Sequence, residues 1–257
     1  MAQKIKNFIQ FLIQRIIGYP TYLFWFSIYR VLRFQLLKDD MDFVFFIELV
    51  KKQKHGIVID AGANVGYTTV IFAKAFKSFS IVSYEPISLL SGIINKVVLF
   101  FGVNNVEVRQ KALGESIEPV MIKTPVIQGV KKQGLSYIDK DVDRGDMEML
   151  KASISEEVEM VTLDSDWESY KDNSVVGIKV DVENFEYFVL KGAKNLIAKF
   201  RPIVMAELWD NNRRNSCIQL MQELGYETYI IKNKKMIKYL GQSSLNYFFI
   251  PVSAETE

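Results

Sequence analysis

The sequence predicts an α/β fold in which a mostly parallel, seven-stranded sheet carries an antiparallel pair at one edge and follows an N-terminal helical extension. From His55 onward, short β-rich runs alternate with helical spans, a pattern typical of a parallel sheet with crossover helices. The last two runs lie close together in the chain, which predicts that they pair antiparallel at one edge. With 257 residues, 49% of them hydrophobic, the chain can bury a core without disulfides.

The order of the predicted elements follows from these runs. Strands are predicted at 56–60, 80–84, 106–110, 175–180, 203–207, 227–231 and 246–250, and helices between them at 66–76, 87–101, 185–199 and 212–224. Residues 115–163 interrupt the alternation with turn residues and mixed charge, so we predict there a variable insertion with one or two strands. Such an insertion is either a lid that selects the substrate or a plain surface excursion.

The chain divides into an N-terminal helical extension, residues 1–53, and a second domain, residues 54–257. Within the extension, helices are predicted at 3–17, 21–36 and 40–53. Residues 1–37 are rich in aromatic and aliphatic side chains with basic residues between them, but they contain neither a signal peptide nor the run of about 20 apolar residues that a spanning helix needs. Either residues 1–37 lie on a membrane surface, or they pack on the second domain or on another subunit.

The charge and the cysteine content narrow the classes of partner and site. The net charge is only +2, without a concentrated basic run, so no nucleic-acid partner is expected. Cys217 is the single cysteine, which leaves no internal disulfide and no thiolate metal cluster. A lone cysteine fits a reducing compartment, and we expect the protein in the cytoplasm.

Two carboxylates and a glycine turn form the strongest candidate site. Asp60 ends the first predicted strand and Glu85 ends the second, while Gly62, Asn64 and Gly66 lie between the first strand and its helix. In an open parallel sheet, ligands bind beyond the carboxyl ends of the strands. Because neighbouring strands lie about 4.8 Å apart, we expect both carboxylates to border one crevice. A carboxylate there can accept hydrogen bonds from both hydroxyls of a ribose.

Charge decides which nucleoside ligand fits this crevice. A dinucleotide-binding fold also has an acidic residue here, but it carries G-x-G-x-x-G and holds a pyrophosphate at the helix N-terminus. In this chain the turn is GANVG at 62–66, with Asp60 directly before it. A carboxylate is unfavourable beside a pyrophosphate and favourable beside a sulfonium and an ammonium group. We therefore expect S-adenosylmethionine rather than NAD.

Six motifs in order also give the sequence a specific resemblance. They are VIDAGANVGYTTVIFA from residue 58, YEP at 84–86, NNVEVRQKALGE at 104–115, VTLD at 161–164, IKVDVENFEYFVLKGA at 178–193 and RPIVMAEL at 201–208. Over roughly residues 40–250 the sequence resembles the FkbM family of S-adenosylmethionine-dependent methyltransferases, which implies a Rossmann-like class I methyltransferase fold.

The resemblance also implies roles for individual residues. It implies that the methionine pocket is shaped by Asp60, Gly62, Asn64 and Gly66. It further implies that Glu85 holds the ribose and that Ala112 and Leu113 lie near the adenine. The chain departs from the family pattern at Asn184, where the family usually has glycine. Asparagine tolerates left-handed backbone angles better than most residues, so we expect the turn to be kept.

The candidate catalytic groups are carboxylates. His55, the single histidine, starts the first strand and lies roughly 13–17 Å from the crevice at about 3.3 Å per residue, so it is not the base. The remaining candidates are Asp181, Glu183, Glu207 and Lys179. The carboxylates could act as general base, or Asp181 and Glu207 could hold a divalent cation that acidifies a hydroxyl. Alternatively, Lys179 and Asp181 form a purely structural buried ion pair.

From these residues and the resemblance we expect an O-methyltransferase. The resemblance implies acceptors such as sugars and polyketide hydroxyls, and the basic, aromatic N-terminus favours a sugar in a glycan or glycolipid, handled at the inner face of a membrane. Two alternatives stay open at this point. One is an NAD-dependent oxidoreductase, and the other is a non-catalytic module that keeps the fold.

Overall fold

The strands and helices alternate along most of the chain. The computed structural model describes residues 14–127, 130–131, 133–139, 153–167 and 174–252. The helices are α1 (Tyr19–Leu37), α2 (Met41–Val50), α3 (Tyr67–Ala75), α4 (Ser88–Phe101), α5 (Leu163–Asp166), α6 (Glu186–Lys191), α7 (Lys194–Phe200) and α8 (Asn212–Glu223). The strands are β1 (Gly56–Ala61), β2 (Phe79–Tyr84), β3 (Val106–Arg109), β4 (Ala112–Leu113), β5 (Glu118–Ile127), β6 (Val130–Lys131), β7 (Tyr137–Ile138), β8 (Ser153–Val161), β9 (Val175–Val180), β10 (Ile203–Glu207), β11 (Tyr226–Lys232), β12 (Lys235–Lys238) and β13 (Asn246–Pro251).

The main sheet has the strand order β12-β11-β13-β10-β9-β1-β2-β3. Five adjacent strands of this sheet, β10, β9, β1, β2 and β3, are parallel to one another. The strands β13, β11 and β12 are antiparallel to their neighbours, which confirms a mostly parallel sheet with an antiparallel edge. The strand count was wrong by one, since seven were predicted and the described part of the chain contributes eight to this sheet. The missed strand, β12, forms because Asn233 and Lys234 take positive φ angles of 51° and 58°, as a tight two-residue hairpin requires.

The central strands are buried on both faces. All six residues of β1 and all six of β9 are buried, because helices cover the sheet on each side. This double cover explains why these strands have continuous apolar runs instead of the alternating pattern of a half-exposed strand. The carboxyl ends of β1, β2 and β9 therefore meet at one edge above a closed core.

The predicted insertion at 115–163 is more regular than expected. One or two strands were predicted, but the described part of this segment contains β5, β6, β7 and β8. They join β4 in a second sheet with the order β4-β8-β5-β6, in which β7 also pairs with β5. The long antiparallel pairing of β5 with β8 runs from Glu118–Met160 to Pro125–Ser153. Residues 140–152 lie outside the described part of the chain.

The N-terminal helices pack directly on the main sheet. A β-carbon at Gly177 of β9 would lie only 2.8 Å from Val50 and 3.1 Å from Phe46, so α2 approaches the sheet as closely as a glycine allows. On α1, Leu23, Val31 and Phe34 are buried in the same hydrophobic cluster. The described residues contain no helix long and apolar enough to cross a membrane. Most of the helix predicted at 3–17 lies outside the described residues.

The helix predicted at 185–199 is divided into α6 and α7. The break follows from Asp164, whose carboxylate oxygens accept hydrogen bonds from the backbone N–H groups of Asn195 (3.0 Å) and Leu196 (2.8 Å). This distant aspartate caps the start of α7 as an N-cap side chain would. A single-sequence pattern contains no signal for a cap that comes from 30 residues earlier.

Candidate active site

A cleft opens at the carboxyl ends of β1, β2 and β9. In the sheet, β2 and β3 lie on one side of β1, and β9 and β10 lie on the other side. The strand order therefore reverses at this edge, where open parallel sheets bind ligands. The cleft has a volume of about 700 Å³, including space open to solvent. Its walls include Gly62, Asn64, Tyr84, Glu85, Ile87, Leu90, Lys111, Ala112, Leu113, Ile122, Gln133, Ser136, Tyr137, Ile138, Asp181, Val182, Glu183 and Phe185.

Gly62 makes the turn that closes the floor of the cleft. Its φ angle is 78°, and a β-carbon at this position would lie 1.8 Å from the backbone oxygen of Asp181. Its N–H donates to the Tyr84 carbonyl at 3.0 Å. Gly62 thus brings the ends of β1, β2 and β9 into contact, and no other residue fits there.

Glu85 lies on the cleft wall, buried and held by two backbone groups. Its Oε2 accepts from the N–H of Asn64 at 2.9 Å, and its Oε1 accepts from the N–H of Ile87 at 3.0 Å. Burial raises the pKa of the carboxyl to about 8, although these hydrogen bonds oppose the rise. The carboxyl is therefore fixed in position before any ligand arrives.

Asn64 presents a free acceptor at the same wall. Its φ angle of 52° places it in the left-handed region, and its buried side-chain oxygen has no hydrogen-bond partner among the described residues. A buried acceptor without a partner is costly, and a ligand that donates to it removes that cost. Gly66 lies outside the lining, begins α3 and packs against Ile94 of α4.

The opposite wall is apolar. Ala112 and Leu113, predicted near the adenine, line the cleft together with side chains of the second sheet, namely Ile122 and Ile138. Gln133, in the short 3-10 helix Gln133–Leu135, and Ser136, which follows this helix, also line the cleft. The sequence offered no signal for this contribution, because it depends on how the second sheet folds over the first.

Asp60 does not lie where the sequence predicted, at the border of the cleft. Its carboxylate does not border the cleft but is fully buried behind the glycine turn, where Oδ2 accepts from Thr69 Oγ1 at 2.8 Å. Its Oδ1 lies 3.4 Å from the ammonium of Lys179. The acidity of the cleft therefore comes from Glu85, Asp181 and Glu183, while the charge of Asp60 is compensated internally.

Lys179 and Asp181 form an ion pair at the end of β9. The Nζ of Lys179 lies 3.3 Å from Asp181 Oδ2 and donates to the Gly62 carbonyl at 3.0 Å. Burial opposes the ammonium charge, but Asp181 and Asp60 outweigh it, so the pKa of Lys179 is raised above its ordinary value. Lys179 stays protonated and cannot act as a base, whereas the Asp181 side chain is 31% exposed and lines the cleft.

The family model of the methyltransferase FkbM domain matches residues 60–231 of the sequence. The chain belongs to the FkbM methyltransferase family. A search of curated proteins found no match. Among solved structures, a methyltransferase FkbM from Methylobacillus flagellatus KT is similar, with 14% identity and a TM-score of 0.48, over 96% of this chain and 60% of that one.

Two further solved structures are similar at low identity. One is an S-adenosylmethionine-dependent O-methyltransferase from Thermotoga maritima, with 11% identity and a TM-score of 0.47, over 89% of this chain and 73% of that one. The other is a methyltransferase from Streptococcus mutans in complex with S-adenosylhomocysteine, with 8% identity and a TM-score of 0.46, over 80% of this chain and 93% of that one.

The β9 turn contains the departure of this chain from the FkbM pattern. Asn184 has a φ angle of 74°, as expected for a position where the family usually has glycine, and Glu183 before it has 55°. The side chain of Asn184 accepts from Asn211 Nδ2 at 2.6 Å, and its carbonyl accepts from Arg213 at 2.7 Å. Asn184 thus keeps the turn and adds a tether to the start of α8.

Glu186 organises this turn, and the sequence analysis missed it as a site residue. Its buried carboxylate oxygen Oε1 accepts from the N–H groups of Val182 (2.9 Å) and Asn184 (3.2 Å). Burial raises its pKa to about 8. Unlike Glu85, Glu186 does not line the cleft.

Glu207 is the last residue of β10 and does not line the cleft. Neighbouring carboxylates contribute to a raised pKa of its side chain. Burial first, and then the carboxylate of Asp181, raise the pKa of Glu207 to about 7, and Asp40 and Asp42 at the start of α2 add to the rise. Within the described part of the chain, no group of three His, Cys, Asp or Glu side chains is arranged to hold a metal ion. A cation site at Asp181 and Glu207 therefore gains no support.

Proposed function

We propose that this FkbM-family chain is an S-adenosylmethionine-dependent methyltransferase that acts on a hydroxyl group. The observation that carries the proposal is Glu85, a buried carboxyl at the end of β2 that two backbone N–H groups fix on the wall of the cleft. A fixed carboxylate at this strand end can accept hydrogen bonds from both hydroxyls of a ribose.

The residues around Glu85 fit the other parts of S-adenosylmethionine. The bound cofactor supplies a methyl group on a positively charged sulfur. The side-chain oxygen of Asn64 is free to accept a hydrogen bond, and Asp181 and Glu183 make that end of the cleft acidic. Ala112 and Leu113 with their apolar neighbours would face the adenine. A pyrophosphate at the same place would meet carboxylates, which disfavours a dinucleotide.

Asp181 is the base that we propose for the acceptor hydroxyl. An alcohol is barely ionised at neutral pH, so its proton must be taken as the methyl group arrives. Among the predicted catalytic carboxylates, Asp181 and Glu183 line the cleft, and Asp181 lies 3.3 Å from the Lys179 ammonium. The Lys179 ammonium fixes the orientation of this carboxylate in the cleft.

For the acceptor, we propose a sugar in a glycan or glycolipid that is modified in the cytoplasm. Support comes from the resemblance to a family that acts on such hydroxyls and from the single, buried Cys217, which suits a reducing compartment. The Asn211 side chain caps α8 by accepting from Arg213 N–H at 2.9 Å. The acceptor contacts would then come from the acidic end of the cleft.

Calorimetry with two cofactors tests the reaction class. S-adenosylmethionine should bind to the purified protein, and NAD should not. Binding of NAD alone would favour an oxidoreductase, and binding of neither would favour a non-catalytic module. The acceptor class is tested separately by mass spectrometry of cell-surface carbohydrate from cells with and without the protein, where a lost methyl group on a sugar is the expected result.

A further inference from the structure

The outer side of α1 carries an apolar stripe that no described residue covers. Its inner side, with Leu23, Val31 and Phe34, is already buried in the core. The opposite side exposes Trp25 (53%), Tyr29 (54%), Leu32 (45%) and Leu36 (82%), which recur every three or four residues, and Ile16 and Ile17 precede them. A helix that is apolar all round needs a partner on both sides.

The end of α4 extends this stripe into a wider surface. Leu99 is 81% exposed and Phe100 54% exposed, and the ring of Phe100 lies 5.8 Å from that of Phe24 and 6.4 Å from that of Trp25. A shallow groove between the helices is lined by Pro20, Thr21, Phe24, Lys96, Leu99 and Phe100. We call the surface formed by Ile16, Ile17, Trp25, Tyr29, Leu32, Leu36, Leu99 and Phe100 the α1–α4 face.

The charges around this face are predominantly basic. Neither α1 nor α4 contains an aspartate or glutamate, and residues 1–38 contain none at all. Exposed basic side chains on or beside the two helices are Arg15, Lys38 and Lys96, while Arg33 is paired with Asp39 at 2.6 Å. An apolar surface rimmed by basic groups complements the interface of a bilayer with anionic headgroups, to which lysine and arginine side chains are attracted.

A second copy of the chain fits this face less well. In a twofold dimer the same patch meets itself, so Lys96 and the other basic groups of the rim would approach their own copies. That repulsion is absent at an anionic lipid surface. We propose that the α1–α4 face docks the protein on anionic membranes, with α1 lying along the surface and its aromatic side chains at headgroup level.

Co-sedimentation of the full chain with lipid vesicles tests this proposal independently of any methyl transfer. The probes are vesicles of phosphatidylcholine alone and of phosphatidylcholine mixed with phosphatidylglycerol. Binding should be stronger to the anionic vesicles and weaken at high salt. The combined variant Trp25→Gln, Leu36→Gln and Leu99→Gln should lower binding by about tenfold or more, since interfacial binding scales with the buried apolar area.

The matched control is Leu240→Gln, because Leu240 is 80% exposed but lies on another part of the surface. This variant should bind vesicles like the unchanged protein, and thermal unfolding of all variants checks that they fold. The proposal is overturned if the protein does not bind anionic vesicles, or if the control loses as much binding as the triple variant. It is also overturned if sedimentation shows a dimer that the triple variant abolishes, which would make the face a subunit interface.

Discussion

The turns after β2 and after β9 share one local construction but differ in what they face. In each, a buried glutamate, Glu85 or Glu186, accepts two backbone N–H bonds and has a pKa raised to about 8 by burial. Glu85 lines the cleft, whereas Glu186 lies behind it. A fixed carboxyl at such a turn therefore shows how the loop is held, whereas access to the cleft decides whether the carboxyl meets a ligand.

The largest effect should come from Gly62, which joins the two turns. Gly62→Ala would place a β-carbon 1.8 Å from the Asp181 carbonyl at a φ of 78°. We expect a loss of about 3–5 kcal/mol in the free energy of unfolding from strain and overpacking. Thermal and denaturant unfolding measure it.

Gly92→Ala is the matched control for that change. Nothing lies within 4 Å of a β-carbon at Gly92, which sits in α4. This variant should be stabilised by roughly 0.5–1 kcal/mol, because alanine is favoured over glycine within a helix. A Gly62→Ala protein as stable as the Gly92→Ala protein would show that the two turns are not locked together.

The next effect concerns chemistry at the β9 turn. Asp181→Asn keeps the size of the side chain but removes the proposed base, so methyl transfer should fall by about 10²–10⁴-fold. Methylation of surface carbohydrate in cells that produce each variant provides the measurement, and calorimetry measures separately the weaker cofactor binding expected from the lost negative charge. Full methylation by Asp181→Asn would remove Asp181 from the mechanism.

The two turns should make the stability of the fold depend on pH in the same direction. The folded protein binds protons at Glu85 and Glu186 up to about pH 8, and at Glu207 up to about pH 7, whereas the ordinary carboxyl pKa is 4.5. These groups therefore stabilise the fold fully at low pH and lose that contribution as pH rises from about 5 to 8.

The melting temperature of the cofactor-free protein should accordingly increase as the pH is lowered from 8 towards 5. Glu186→Gln should make this dependence shallower, because one titrating carboxyl is gone. A melting temperature that instead rises with pH over this range would contradict the buried, neutral state of these side chains.

The smallest effect is expected at Asn184, where this chain departs from its family. Asn184→Ala has to keep a φ of 74° and loses the 2.6 Å bond from Asn211, so it should destabilise the protein by about 1–3 kcal/mol. Asn184→Gly loses only the bond and should cost about 1 kcal/mol. Equal losses for the two variants, measured by denaturant unfolding, would mean that the backbone angle does not matter here.

The fold was predictable where short-range patterns determine it. Buried strands such as β1 and β9 and the glycine turn at Gly62 have clear sequence signals. The second sheet was missed, because the pairing of β5 with β8 depends on contacts between residues far apart in the sequence. The extra strand β12 was missed because its hairpin uses Asn233 and Lys234, of which lysine is not a typical residue for a positive φ.

The candidate site was likewise predictable only where short-range patterns determine it. Spacing placed Glu85 and Asp181 at strand ends, and both line the cleft. Spacing could not tell that Asp60 turns inward to Lys179, since that depends on a side chain from the neighbouring strand β9. It also could not find Glu186, which resembles an ordinary residue of a first helical turn until its bonds to Val182 and Asn184 are seen.

Calorimetric titration of S-adenosylmethionine into Glu85→Gln and Glu186→Gln tests the central claim most directly. If the cofactor ribose binds to the carboxylate on the cleft wall, Glu85→Gln should lose about 10–150-fold in affinity above pH 8, where Glu85 is ionised. This loss is the equivalent of ~1.5–3 kcal/mol for a hydrogen bond to a charged group. Glu186→Gln, altered in the same way behind the wall, should bind within about twofold of the unchanged protein. Equal losses in the two variants, or full affinity in Glu85→Gln, would contradict the assignment.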